Sequence, residues 1–173
     1  MSKAKVKAMS ALKGGAASPS GTGSAPAPKK VHWLAPHMPH VSPYLCVRNG
    51  MAALAFYEHA FGFKRRFEMK SSEGRLRHGE LEYGGGVIML GEPSPDAGHK
   101  SPADLGGSPL AMYVYVPDVD STARRARDAG AKIAAEPADQ VYGDRTCEIV
   151  DPEGHRWFFA THVRDVKPEE LKG

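Results

Sequence analysis

The chain has 173 residues, a length that gives room for one ordinary domain or two small modules packed as one. It contains 23 Lys or Arg and 20 Asp or Glu, which gives a formal charge of +3. Six lysines and no acid fall within residues 1–30, so the remainder is slightly acidic and a nucleic-acid partner is not expected. No stretch approaches the ~20 apolar residues of a membrane-spanning helix, which argues against a membrane protein.

Residues 1–38 are rich in Lys, Ala, Pro and Gly, and the first thirty of them contain almost no bulky side chain. Ordering such a segment costs conformational entropy without burying apolar surface, so it is predicted to be a disordered tail. A basic arm for nucleic acid and a transit peptide are alternative interpretations. The sparse lysines, the absence of Arg and the lack of an apolar core favour a simple flexible tail.

The folded part is predicted to begin near residue 39 with the strand-like run "VSPYLCV" at 41–47. A helix is predicted over 51–61, with Asn49 as its N-cap and Gly62 as its C-terminal stop. Three strand-like runs follow, at 63–70, 75–83 and 87–91. The helical spacing predicts a buried stripe formed by Leu54, Tyr57 and Phe61.

The same order returns after a Gly- and Pro-rich linker at 93–108. A strand at 110–116 precedes a helix at 119–129, which is predicted to start at Asp118 and stop at Gly130. Strands are then predicted at 132–136, 145–150 and 155–161. The fold class is therefore predicted as α+β: two tandem βαβββ modules, 39–92 and 109–164, followed by a short tail at 165–173. A duplicated half-fold commonly leaves a cleft where its halves meet.

Cys46 and Cys147 are the only cysteines, and each lies within a strand-like run. Two lone cysteines do not resemble a disulfide framework, so we expect buried free thiols in a reducing cytoplasm. A reactive cysteine is the alternative, although neither residue has an obvious base beside it in sequence.

A series of motifs identifies a family resemblance. "LAFYEHAFGF", "VIMLGEP", "VYVPDVD", "ARDAGA" and "DPEGHRWFFATH" occur in that order. With these motifs the chain resembles, over about 40–162, the vicinal oxygen chelate superfamily, which includes glyoxalase I, bleomycin-resistance proteins, fosfomycin-resistance enzymes and extradiol dioxygenases. Its "YGDR" and "DPEGHRW" motifs are similar to those of the glyoxalase-like branch. The resemblance implies paired βαβββ modules that curve around a cavity, often in a homodimer that exchanges modules.

The resemblance also implies where a metal would bind. Enzymes of the superfamily hold a divalent ion with His and carboxylate side chains from the first and last strand of each module. The corresponding positions here are Ser42, Met89, Ala111 and Phe158. These are poor ligands for a hard or borderline cation, so the usual metal site and any cofactor are predicted to be absent.

A displaced metal site involving His40, His78 and Glu80 is the alternative. His40 lies two residues before Ser42 and therefore on the same strand face. One such step is ~6.6 Å, which is large beside a ~2 Å ligand bond, and this disfavours the displaced site.

If the family's ligand positions mark the cavity, strand alternation predicts an aromatic, mostly apolar wall with hydroxyls and one cation. Planar organic ligands suit such a wall through stacking and a few oriented hydrogen bonds. The candidate ligand-binding residues are Tyr44, Met89, Tyr113, Tyr115, Glu148, Arg156 and Phe158.

Several polar residues admit both a chemical and a structural interpretation. His78 and Glu80 share one face of the third strand and form a candidate acid/base pair, or a plain surface face. Asp144 and Arg145 of "YGDR" are interpreted as an ion pair that fixes a turn, with a role as substrate ligands as the alternative. Arg156 is either an anchor for an anionic group or a partner in a structural ion pair. The histidines that flank the last strand, His155 and His162, are interpreted as structural.

The functional prediction is a metal-independent, cytoplasmic binding protein of the bleomycin-resistance type, which sequesters a planar or aromatic small molecule in a cavity completed by a homodimer. The alternative is a glyoxalase-like lyase or dioxygenase-class enzyme that uses a displaced metal or the pair His78 and Glu80. A third possibility is a cavity filled by side chains, in a domain that serves as an interaction module.

Overall fold

The computed structural model describes residues 32–94 and 98–171. The chain divides into two units, Met1–Trp33 and Leu34–Gly173. Only His32 and Trp33 of the first unit are described, so most of the predicted tail over 1–38 lies outside the described residues. Among the helices that the structure describes, none is long and apolar enough to cross a membrane.

The first module forms a four-stranded sheet with the strand order β1-β4-β3-β2. Strand β1 runs parallel to β4, and the other neighbours are antiparallel. The helix α1 continues into one wider, π-helical turn at Tyr57–Phe61. The elements are β1 (Tyr44–Cys46), α1 (Gly50–Phe56), β2 (Lys64–Lys70), β3 (Leu76–Tyr83) and β4 (Gly86–Gly91).

The second module repeats this topology with the order β5-β8-β7-β6, again with only the first pair parallel. The predicted α+β fold of two βαβββ modules is thereby confirmed. Two short helices were not predicted: α2 (Pro102–Leu105) in the connection, and a 3-10 helix at Pro168–Leu171. The elements are β5 (Ala111–Tyr115), α3 (Val119–Asp128), β6 (Lys132–Asp139), β7 (Asp144–Val150) and β8 (Arg156–His162).

The starts and stops of the two longer helical segments follow the predicted residues. The side chains of Asn49 and Asp118 each accept a hydrogen bond from the backbone N–H three residues later, at 3.2 and 2.9 Å. Gly62 and Gly130 adopt positive φ values of 74° and 94°, which only glycine tolerates readily. Local chemistry therefore sets these boundaries.

One aromatic core joins the two modules on the helix side of the sheets. The ring of Phe61, at the end of the first helical segment, lies 5.1 Å from that of Trp157 and 4.6 Å from that of Phe159. All three side chains are buried. Because alternate strand residues point to opposite faces, this core leaves the other face of each sheet free for a site.

The aspartate of "DPEG" ties the modules together within this core. One oxygen of Asp151 accepts from the hydroxyl of Tyr57 at 2.7 Å and from the indole N–H of Trp157 at 2.9 Å. The other oxygen accepts from the backbone N–H groups of Glu153 and His155, both at 2.9 Å. Burial alone would raise the pKa of Asp151, but the contacts with His155 and Tyr57 hold it below its usual value. This motif serves the fold.

Both cysteines are free and buried, as predicted. Burial raises the pKa of Cys46, and it raises the pKa of Cys147 to about 11. Both groups are therefore thiols at neutral pH, which does not favour a reactive cysteine.

Candidate functional site

The sheet face opposite the core carries the same row of side chains in each module. Strand pairing places a tyrosine of the first strand beside an apolar residue of the last strand, which in turn lies beside a glutamate. The rows are Tyr44, Met89 and Glu80 in the first sheet, and Tyr113, Phe158 and Glu148 in the second.

In the first sheet, the predicted acid/base pair is in contact. His78 Nε2 lies 3.2 Å from Glu80 Oε1, and both side chains are partly buried. The imidazole packs near two aromatic rings, with centroid distances of 5.8 Å to Tyr44 and 6.1 Å to Phe67. These contacts hold the imidazole beside the carboxylate, an arrangement suited to proton transfer.

In the second sheet, Arg156 pairs with Glu148. Its Nε donates to Glu148 Oε1 at 2.7 Å, and a terminal guanidinium nitrogen donates to the same oxygen. The guanidinium is therefore already committed to a carboxylate, which favours the structural interpretation of Arg156 over an anchor for a ligand anion.

A second polar cluster surrounds Asp144, whose side chain is buried with 4% of the residue exposed. One carboxylate oxygen accepts from the hydroxyls of Tyr115 and Tyr113, at 2.7 and 3.2 Å. The other oxygen lies 2.8 Å from His162 Nδ1, which donates to it because an ionised carboxylate only accepts. We define these four residues as the Asp144 cluster.

Charges and hydrogen bonds in the Asp144 cluster shift the pKa values of its groups. The bonds from Tyr115 and His162 lower the pKa of Asp144. The same carboxylate, with Asp165 at 3.1 Å from Nε2, raises the pKa of His162. Hydrogen bonding to Asp144 also raises the pKa of Tyr115, so its hydroxyl keeps its proton.

The sequence interpretation of "YGDR" was wrong about pairing. Arg145 binds Asp120 through two bonds of 2.7 and 2.8 Å and Asp139 through one of 3.0 Å, and it does not contact Asp144. Strand β7 begins at Asp144, one residue earlier than predicted, so the two neighbours point to opposite faces. Extending the strand by that residue would have placed Asp144 on the face of Tyr113.

Two open crevices are lined by residues of β5 together with residues of β1 or of the segment just before it. One, of about 440 Å³, is lined by Tyr44, Cys46, Leu110 and His155 among others. The second, of about 390 Å³, has Tyr113 and Tyr115 in its wall. The candidate tyrosines of both sheets thus border spaces that small molecules can enter.

The grouping of His, Cys, Asp and Glu side chains bears on a divalent metal. Across 32–94 and 98–171, no three His, Cys, Asp or Glu side chains are grouped to hold an ion. At the position where the resemblance implies a ligand in the last strand, the ring of Phe158 stacks on that of Tyr113, with centroids 6.2 Å apart and an interplanar angle of 23°. The displaced site of His40, His78 and Glu80 forms no such group either.

Comparison with known proteins places the chain in a family. The model of the Glyoxalase/Bleomycin resistance protein/Dioxygenase superfamily matches residues 37–159. An uncharacterized protein of Mycobacterium tuberculosis, Rv0887c, is 36% identical over 137 residues, which cover 78% of this chain and 81% of that protein. "Putative glyoxylase CFP32" of Mycobacterium bovis is 34% identical over 108 residues, 59% of this chain and 36% of that protein.

Solved structures show the same fold. TioX from Micromonospora sp. ML1 is 28% identical with a TM-score of 0.58, over 72% of this chain and 99% of TioX. A gene product of Arabidopsis thaliana is 23% identical with a TM-score of 0.58, over 71% of this chain and 98% of that structure.

Proposed function

The chain belongs to the Glyoxalase/Bleomycin resistance protein/Dioxygenase superfamily, and on that premise we propose that it binds a planar or aromatic small molecule without a divalent metal. The observation that carries this proposal is the stack of Phe158 on Tyr113, which occupies a position where the family resemblance implies a metal ligand. A hydrophobic ring cannot coordinate a cation, but it offers a flat surface for another ring.

The surroundings of this stack support an aromatic ligand. Tyr113 and Tyr115 lie on β5, the edge strand of the second sheet, and are 48% and 58% exposed. Their rings are 5.5 Å apart and tilted by 57°. Exposed aromatic side chains of this kind commonly contact a ligand or a partner, because their burial stabilises the complex.

We also propose that a second copy of the chain completes the cavity. The ligand face of each module is open in the single chain, as the exposure of Tyr44, Tyr113 and Tyr115 indicates. A homodimer would cover part of this surface. Light scattering after gel filtration should give twice the chain mass, and a monomer at micromolar concentration would contradict this part of the proposal.

Titration with acridine, followed by its fluorescence with and without EDTA, tests metal-free binding. The dissociation constant should not change with EDTA, and Phe158→Ala should weaken binding roughly threefold to tenfold through loss of one aromatic contact. Arg124→Ala, on the exposed side of α3, is the matched control. Stoichiometric metal in the purified protein together with EDTA-sensitive binding would overturn the proposal.

A glyoxalase-like lyase or dioxygenase-class enzyme is the second candidate, favoured by the 3.2 Å contact between His78 and Glu80. In that case the imidazole would move a proton on the substrate while the carboxylate orients it. Any turnover found should fall at least tenfold in His78→Ala and in Glu80→Ala. Turnover unchanged in both variants would remove this candidate.

The two free thiols also support the proposal of a cytoplasmic location, because unpaired cysteines are typical of reducing compartments.

A further inference from the structure

We propose that the site selects planar ligands that donate hydrogen bonds, because Asp144 fixes the hydroxyls of Tyr113 and Tyr115 so that their oxygens face the ligand as acceptors. This inference rests on the proposed function and specifies its ligand class.

The direction of the hydrogen bonds carries the inference. An ionised carboxylate accepts and never donates, so each tyrosine must give its single hydroxyl proton to Asp144. The hydrogen bonds from Tyr115 and Tyr113, with O···O distances of 2.7 and 3.2 Å, end on the same oxygen of Asp144. Once those protons are committed, the phenol oxygens have only lone pairs to offer to another molecule. Because Tyr142 also hydrogen-bonds Tyr113, the oxygen of Tyr115 is the main acceptor.

Asp144 is held in this ionised state by its surroundings. The other carboxylate oxygen is bonded to His162 at 2.8 Å, and these contacts lower the pKa of Asp144. The neighbouring cation does not compete for the carboxylate, because Arg145 is bound to Asp120 and Asp139.

Exposure decides which atoms a ligand meets. Asp144 is 4% exposed, whereas Tyr113 and Tyr115 are about half exposed. A molecule stacked against Phe158 can therefore reach the two tyrosines, whereas the carboxylate is covered. Nearby, Arg156 directs two of its nitrogens to Glu148, so its donors are partly spent.

Two tricyclic probes of nearly the same shape test the inference. Carbazole has a ring N–H that donates, and dibenzofuran has a ring oxygen in the same place. Fluorescence titration of the full chain should give a dissociation constant roughly threefold to tenfold lower for carbazole, which corresponds to one net hydrogen bond.

The variant Tyr115→Phe should reduce this preference, and the double variant Tyr113→Phe/Tyr115→Phe should bring the ratio to about one, since both phenol oxygens are gone and Asp144 is buried. Arg124→Ala, on the exposed side of α3 and away from both crevices, is the control. Thermal melts establish whether each variant is folded. If the double variant does not fold, the result for Tyr115→Phe decides the question.

The outcomes separate the two proposals. Equal affinity of the wild-type chain for both tricycles would overturn the donor preference while leaving planar binding intact. A carbazole preference that persists in the folded double variant, or in folded Tyr115→Phe at full size, would also overturn it. Failure of acridine and of both tricycles to bind would overturn the proposed function, and this inference with it.

Discussion

Substitution of Asp151 by Asn should destabilise the fold much more than the same substitution of Asp144, although both carboxylates are buried. Four hydrogen bonds end on Asp151, from the hydroxyl of Tyr57, the indole of Trp157 and two backbone N–H groups, and His155 Nδ1 lies further off at 3.5 Å. Three of these four groups can only donate. An asparagine supplies one acceptor oxygen in place of two, so its NH₂ group must face at least one donor.

The size of the effect follows from the two possible orientations of the amide. If the NH₂ faces Trp157, the indole N–H is left unpaired while Tyr57 rotates to accept. If it faces the backbone, two N–H groups are left unpaired. Each buried unpaired donor costs about 1–3 kcal/mol, and the charge-assisted bonds are also lost, so the expected loss of unfolding free energy is about 2–4 kcal/mol. That corresponds to a fall in Tm of roughly 6–12 °C for a domain of this size.

Asp144→Asn is the matched control. Its donors are two hydroxyls and an imidazole, and His162 becomes an acceptor at Nδ1 when it is unprotonated. At pH 8 the asparagine oxygen can serve both tyrosines while its NH₂ donates to His162. Its loss of stability should therefore be no more than about a third of that in Asp151→Asn.

Urea unfolding followed by tryptophan fluorescence measures both variants, with linear extrapolation of the unfolding free energy. An Asp151→Asn variant within about 0.5 kcal/mol of the wild type would refute the reasoning, because that is the range of an ordinary surface substitution. Equal losses in the two variants would show that donor type does not set the cost.

Three further predictions concern pH, packing and metal. The pKa of His162 is raised in the folded state, so the stability that its charged form contributes is complete below about pH 6.5 and is lost as pH rises through the folded-state pKa. The Tm advantage of the wild type over His162→Gln should therefore shrink between about pH 6 and pH 9. An advantage that grows with pH would contradict this. In Gly91→Ala the new Cβ would lie 2.5 Å from the hydroxyl oxygen of Tyr44 and 2.8 Å from the backbone carbonyl oxygen of Arg77. Both Tyr44 and the backbone must then move, so Tm and acridine affinity should fall, and an unchanged melt and titration would show that the close approach is not a constraint. Thermal melts with nickel, zinc, iron or manganese should match those with EDTA, whereas about one bound metal per chain by mass spectrometry would contradict a metal-free site.

Much of the fold could be predicted because its signals are local. The helix starts at Asn49 and Asp118 and the stops at Gly62 and Gly130 depend on side-chain capping and on the backbone freedom of glycine, which neighbouring residues determine. Strand alternation likewise placed the candidate tyrosines and Phe158 on the face opposite the core. The unpredicted helix α2 depends on a capping box at Ser101 within a linker that has little apolar periodicity.

The sequence by itself thus determined the two-module order, the helix boundaries and the faces of the strands. Only the tertiary structure decided which polar groups meet, because alternation fixes the face of a residue while strand pairing fixes its neighbours. The Asp144 cluster draws on three strands: β5 and β7 both pair with β8, which brings Tyr115 and His162 to Asp144 across 29 and 18 residues of chain. Arg145 was separated from Asp144 by the same rule, since adjacent residues of a strand point to opposite faces.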